Sequence, residues 1–329
     1  MMFAWATAAF LLSALVVGTL LRTGLAWRIA TDHPNARSMH SRVTPRVGGL
    51  GVMAALLLAV ALAPADLPTR ALGGLALCLC AMSLVDDRRG LPVRLRFGAH
   101  CLAAFLAVWV TGAYHVGWGW ALVAGLACVW MTNLYNFMDG SDGMAGGMAL
   151  FGFGALAIAA SSNGIGTMAA MTALGALGFL CFNWHPARVF MGDCGSVPLG
   201  FLAAALGIHG MSGGVWPWWF APWVFSPFIV DATVTLLRRG LRGERVWQAH
   251  REHYYQRAIR MGAGHARVAA GWYAAMLVAA VTALCALRQG SGKLALALAG
   301  IVAAAFVIVA LMIDIRWHRH QSKQDTTHA

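Results

Sequence analysis

Carboxylates are scarce in this chain: 12 Asp and Glu stand against 24 Lys and Arg, and charged residues make up only 11% of it. With 60% hydrophobic residues and a mean hydropathy of +0.67, it lacks the charged surface of a soluble protein. No basic residue comes before Arg22, so the first apolar run lacks the positive start of a secretory signal and reads as a retained helix. Paired Cys with disulfide or zinc spacing are also missing. Cys78 and Cys80 would point to different faces of a helix, and the other five Cys lie mostly within apolar runs or beside them. No half-to-half repeat is visible, which weighs against a transporter or lipid flippase with a midplane site. No soluble basic segment exists to carry nucleic acid.

What remains is a succession of apolar runs long enough to cross a bilayer, at roughly 2–21, 47–65, 70–85, 99–113, 116–132, 147–161, 165–182, 196–210, 215–236, 268–287 and 294–313. The 70–85 and 99–113 runs are short. The expected fold class is an all-α polytopic integral membrane protein with 10 to 11 transmembrane helices. A single domain over 1–315 is followed by a short polar tail, 316–329, expected to be disordered. With the N-terminus outside, every basic residue except Arg70, Arg288 and Lys293 falls on the inner side, as the positive-inside rule requires. That places the +12 charge on a cytoplasmic face suited to anionic headgroups and phosphates.

The polar residues gather in the loops of that same side. Asn133 to Gly147 places Asn133, Asn136, Asp139, Asp142 and four glycines between apolar runs. Carboxylate and carboxamide oxygens suit Mg²⁺, and glycine lets backbone approach a ligand. A polar turn between helices is the plain alternative, but so many polar groups at a membrane are expensive. Asp86 and Asp87 end the third run; adjacent carboxylates repel and call for a cation or a basic group. Asp193 lies between Gly192 and Gly195-Ser196, just before a helix whose free N–H groups favour anions, although capping alone would also use it. His40 and Arg46 sit in a basic loop beside Gly48-Gly49, a composition that suits phosphate or lipid contact. Asp231 interrupts an apolar helix, with Arg238 one face-turn further on as a candidate partner. On a helix, His250, His253, Tyr254 and Arg257 would share a face and clamp a diphosphate. Carboxylates opposite cations at a membrane surface indicate phosphoryl transfer between a nucleotide and a lipid.

The segments PNARSMHSRVTPRVGG, VDD, NLYNFMDGSDG, NWHPARVFMGDCGS and HREHYYQR, in order over about residues 30–260, resemble the polyprenyl-phosphate N-acetylhexosamine-1-phosphate transferases (glycosyltransferase family 4). Within that family they are most similar to the branch that starts O-antigen and related glycans. The resemblance implies transfer of a sugar 1-phosphate from a UDP-N-acetylhexosamine to undecaprenyl phosphate, releasing UMP, with Mg²⁺ or in its place Mn²⁺, at the bacterial inner membrane. It implies Asn136 and Asp193 as metal ligands and Asp86 as the carboxylate acting on the lipid phosphate, supported by Asp87. Asp139 and Asp142 would organise their loop and contact the nucleotide sugar. His250, Arg251 and His253 would hold phosphates, with His40, Arg46, Asn133 and Arg257 around the substrates. The peptidoglycan-precursor branch, which uses a muramoyl-pentapeptide donor, carries three consecutive His; here the run is His250-Arg251-Glu252-His253. Exposed apolar helix faces leave room for a homodimer.

Overall fold

The computed structural model describes residues 1–34, 39–161, 163–246, 248 and 250–328; Asn35, Ala36 and Arg37 of the basic loop lie outside them. Among the described residues the regular structure is helical apart from a two-stranded ribbon: α1 Met2–Arg22, α2 Leu25–Ile29, α3 Gly49–Leu62, α4 Leu67–Arg89, α5 Val93–Val110, a 3-10 turn Ala113–Val116, α6 Trp118–Phe137, α7 Met144–Ala159, α8 Gly164–Asn183, α9 Asp193–Ser212, α10 Phe220–Val224, α11 Ser226–Leu241, α12 Tyr254–Arg260, α13 His265–Gln289 and α14 Gly292–His328. The ribbon pairs β1, Thr31–Asp32, with β2, Thr44–Pro45, antiparallel.

Among the described residues, seven helices (α1, α4, α5, α8, α9, α13 and α14) are long and apolar enough to cross a membrane, and α3 and α7 are apolar but shorter. The all-α polytopic expectation holds. The ninth apolar run is broken: Ser226-Pro227 starts a new helix at α11, with Pro227 in the first turn, where its missing N–H costs no hydrogen bond. The expected disordered tail is instead the continuation of α14, whose Trp317 is buried. That ring lies under the guanidinium of Arg260, 4.5 Å from its centroid, which holds the last turns in place.

α9 is the centre of the bundle and almost wholly buried, whereas α14 is almost wholly exposed and presents its leucines and isoleucines outward. A bundle in lipid gains little from apolar surface alone, so close backbone approach must do the packing. Gly200 of α9 lies against α6, where an added Cβ would meet the Met131 carbonyl at 2.5 Å. Gly178 of α8 lies against α1 in the same way, with the Phe10 carbonyl at 2.5 Å. These contacts fix α6 and α9, and through them the ends that carry Asn136 and Asp193.

Candidate active site

The loops at one end of the bundle are tied together by their backbones. Phe190 donates to the Pro45 carbonyl at 2.8 Å, Gly48 to Phe190 at 2.8 Å and Gly49 to Met191 at 2.9 Å, so the α8–α9 loop runs beside the segment after β2. Gly192 then turns into α9 with φ 72°, and a Cβ there would collide with the Arg46 carbonyl. Only glycine fits that corner, which delivers Asp193 to the first turn of α9.

Between these loops lies a polar pocket of about 310 Å³. Of the residues singled out in the sequence, His40, Arg46, Asn136, Asp139, Asp142 and Asp193 line it. Asn136 ends α6, and its carboxamide oxygen accepts from the Ser196 hydroxyl at 2.8 Å. Burial pushes the Asp139 carboxyl well above the usual range and the charge of Asp193 pushes it further, against the opposing effect of the nearby Gly192 amide. Asp142 is spent on structure. Its Oδ2 accepts from His185 Nδ1 at 2.6 Å and from the Ala187 amide at 3.1 Å, which fastens the α6–α7 turn to the α8–α9 loop. Both ring nitrogens of His40 face acceptors, the Arg42 carbonyl at 2.8 Å and Asp32 Oδ2 at 3.1 Å.

The adjacent carboxylates find one arginine each. Asp86 gives Oδ1 to the Leu91 amide at 2.6 Å and Oδ2 to Arg96 at 2.9 Å, so both of its oxygens are engaged at the end of α4. Asp87 pairs through Oδ1 with Arg46 at 3.1 Å, and its buried Oδ2 has no hydrogen-bond partner. Asp87 also lies within electrostatic range of Asp193. Asp87 therefore keeps a free oxygen, while Asp86, the carboxylate that the resemblance implies acts on the lipid phosphate, keeps none.

The basic run departs further from expectation. His250 and His253 are not on a helix, since α12 begins at Tyr254. The cause is Asp231, whose carboxylate accepts from the Tyr254 amide at 2.9 Å and the Tyr255 amide at 3.2 Å, capping α12 from another helix. Asp231 is thus not the partner of Arg238, which binds Asp314 of α14 at 2.6 Å. Arg257 is likewise held at the side of α12 by Asp314 at 3.0 Å and Glu252 at 3.3 Å, away from the pocket lining. His253 is 2% exposed, with its ring 4.8 Å from that of His250. Burial and the neighbouring His253 hold His250 down at about 4. Among the described residues no carboxylate engages Arg251, which keeps its cation free. Asn133 also lies outside the lining: it donates to the Val129 carbonyl of its own helix at 2.7 Å and meets His100 of α5.

The structure adds residues that the sequence reading passed over. Asp32, Ser141, Asn183, Gln256 and His265 all line the pocket. His265 Nε2 donates to the Met39 carbonyl at 2.9 Å, and its Nδ1 is hydrogen-bonded to the Ser141 hydroxyl, also at 2.9 Å. Asn183 accepts from the Gly143 amide and donates to the Val189 carbonyl, each at 2.9 Å. Gln256 had a legible signal: it stands three residues after the N-cap His253, the spacing of a capping box, and its Oε1 accepts from the His253 amide at 3.3 Å.

A divalent cation fits this donor set. Among the described residues no three His, Cys, Asp or Glu side chains form a metal cage by themselves. Magnesium rarely needs one, because it takes one or two carboxylates and completes its shell with water and substrate phosphates. Asp193 and the second lone pair of the Asn136 oxygen are hard oxygen donors of that kind.

The description glycosyl transferase family 4 matches residues 69–211. The chain is 28% identical over 288 residues, 78% of each chain, to the probable undecaprenyl-phosphate N-acetylglucosaminyl 1-phosphate transferase of Bacillus subtilis. Against the undecaprenyl-phosphate alpha-N-acetylglucosaminyl 1-phosphate transferase of Yersinia pestis it is 29% identical over 257 residues, 70% of each. Against the phospho-N-acetylmuramoyl-pentapeptide-transferase of Moorella thermoacetica it is 31% identical over 272 residues, 73% of this chain and 83% of that one. Matches of this length to enzymes that share one type of reaction show that the chain belongs to glycosyl transferase family 4, the polyprenyl-phosphate N-acetylhexosamine-1-phosphate transferases.

Proposed function

We propose that this chain transfers N-acetylhexosamine 1-phosphate from a UDP-sugar to undecaprenyl phosphate at the cytoplasmic face of a bacterial inner membrane, with Mg²⁺, as the first membrane step of O-antigen or a related surface polysaccharide. One observation carries this reading: Arg46, Asn136, Asp139 and Asp193, from three loops far apart in sequence, share one pocket, and Asp87 reaches it through Arg46. The basic residues that the positive-inside rule puts in the cytoplasm belong to the loops at this end. The names of the Bacillus subtilis and Yersinia pestis relatives favour an N-acetylglucosamine donor.

In the reaction, an oxygen of the lipid phosphate attacks the sugar-bearing phosphorus of the UDP-sugar, and the bond to UMP breaks. Asp193 and Asn136 would hold Mg²⁺, which would supply charge stabilisation to the diphosphate. Asp87, rather than Asp86, orients the lipid phosphate and takes its proton, since only Asp87 keeps an oxygen free. Arg46 fixes that carboxylate and adds positive charge beside the developing oxyanions. Asp139 stands at the pocket wall within electrostatic range of Asp193.

The test is UMP release by purified protein given undecaprenyl phosphate and a panel of UDP-N-acetylhexosamines that includes the muramoyl-pentapeptide donor. Turnover should need lipid and Mg²⁺, stop with EDTA, and fall by roughly 10²–10⁴-fold in Asp87→Asn. Asp193→Asn should be at least as weak, while Asp86→Asn should keep more activity than Asp87→Asn. Activity with the muramoyl-pentapeptide donor alone would move the chain to the peptidoglycan branch, and no turnover with any donor would overturn the reading.

A further inference from the structure

The end of the bundle that carries the pocket has a second cavity, facing outward. It measures about 220 Å³, lies between α1 and α8, and is lined by Ala14, Leu15, Gly18, Leu21 and Phe182, with Arg22 and Arg188 on its rim. The absence of a side chain at Gly18 opens its wall; a Cβ there would stand 3.3 Å from Phe182 Cζ. The α1 face beside it is lipid-exposed, with Leu11 59% and Leu15 67% accessible.

The two arginines are charged and uncompensated. Neither Arg22 nor Arg188 forms an ion pair among the described residues. Arg188 lies 4.8 Å over the Phe182 ring and donates one N–H to the Cys181 carbonyl, which fixes the guanidinium and leaves its other donors free. Arg22 closes the last turn of α1, the position where a cation is most favoured. From Ala14 to Arg22 the helix rises about 12 Å, close to the depth of one leaflet's hydrocarbon at about 15 Å.

We propose that this groove binds an anionic glycerophospholipid, with its phosphate between Arg22 and Arg188 and one acyl chain along Ala14, Leu15 and Gly18. The choice of occupant follows from charge and shape together. A soluble phosphate would have no use for the apolar floor, and a neutral lipid none for two free guanidinium groups. This site is separate from the active-site pocket, shares no lining residue with it, and does not depend on the proposed reaction.

The experiment is native mass spectrometry of the detergent-solubilised full chain, titrated with phosphatidylglycerol, phosphatidylcholine or undecaprenyl phosphate. Wild-type protein should prefer phosphatidylglycerol to phosphatidylcholine by roughly tenfold or more, since each arginine near the surface contributes about a fivefold factor. Arg22→Gln with Arg188→Gln should erase that preference. Thr19→Trp, at an exposed position of the groove, should weaken phosphatidylglycerol binding with both arginines intact. Equal binding of the two phospholipids, or an unchanged preference in the double variant, would overturn the proposal. So would undecaprenyl phosphate losing its own binding in the double variant, which would give the groove to the substrate, or inorganic phosphate displacing the phospholipid. Active-site variants should leave the preference untouched, so a failure here is distinct from a failure of the proposed reaction.

Discussion

Replacing Asp231 with Ala tests how the basic run is held. Its carboxylate is 4% exposed and accepts from two amides, those of Tyr254 and Tyr255, at 2.9 and 3.2 Å. Both tyrosines are buried, so water cannot take over when the acceptor is removed. Each hydrogen bond to a charged group contributes about 1.5–3 kcal/mol, and at the lower figure the two together give about 3 kcal/mol. That is roughly a hundredfold in the equilibrium for opening α12. Hydrogen exchange followed by mass spectrometry reads this directly: peptides covering 250–260 should exchange about a hundredfold faster, while α8 and α9 stay protected. Because Gln256 rides on α12 into the pocket, KM for the UDP-sugar should rise as well. Unchanged exchange over 250–260 would refute the reasoning, since it would mean that α12 is held by something other than this cap.

Further outcomes follow from the same geometry. Gly192→Ala places a side chain at φ 72° against the Arg46 carbonyl, and the resulting shift of Asp193 should lower kcat about a hundredfold in the UMP assay. Asn183→Ala leaves the Gly143 amide and the Val189 carbonyl buried without partners, a loss of about 2–4 kcal/mol that should show as a lower midpoint of thermal unfolding in detergent. His250 is held at about 4 against an ordinary 6.5, so between these values the unfolded chain binds more protons than the folded one. Its contribution is therefore complete above pH 6.5 and declines as pH falls towards 4. Arg242 and its neighbours lower the Glu252 carboxyl against the opposing effect of burial, which removes stability in the same direction at still lower pH. Thermal midpoints measured across pH 4–7 should fall on the acid side, and His250→Gln should flatten the upper part of that decline.

What could be read from the sequence was set by hydropathy and by loop position. Apolar runs announced the helices, and the sidedness of charge put Asn136, Asp139 and Asp193 at one end before any coordinates. Partner choice was not legible, because it depends on which helices stand side by side. Nothing in the local sequence of Asp86-Asp87 says that Arg96 will take the first and Arg46 the second. Asp231 looked towards Arg238 by spacing alone, yet Asp314, 76 residues further on, had already engaged that arginine. The helical face drawn through His250 and Arg257 failed because a cap from α11 starts α12 four residues later than that reading assumed. His265 gave no motif at all; only the return of α13 to the pocket reveals it.

That histidine also constrains the order in which the protein can become competent. It bridges Met39 and Ser141, and the reach from Met39 is 226 residues of sequence. At about 5–20 residues per second, synthesis needs roughly 10–45 s between the two ends of that bridge. Late in this interval, once Asp193 has been made, every carboxylate of the site exists while its last wall does not. A nascent chain thus lacks the bridge between Met39 and Ser141 until His265 and the start of α13 have been made, so this wall of the pocket closes last.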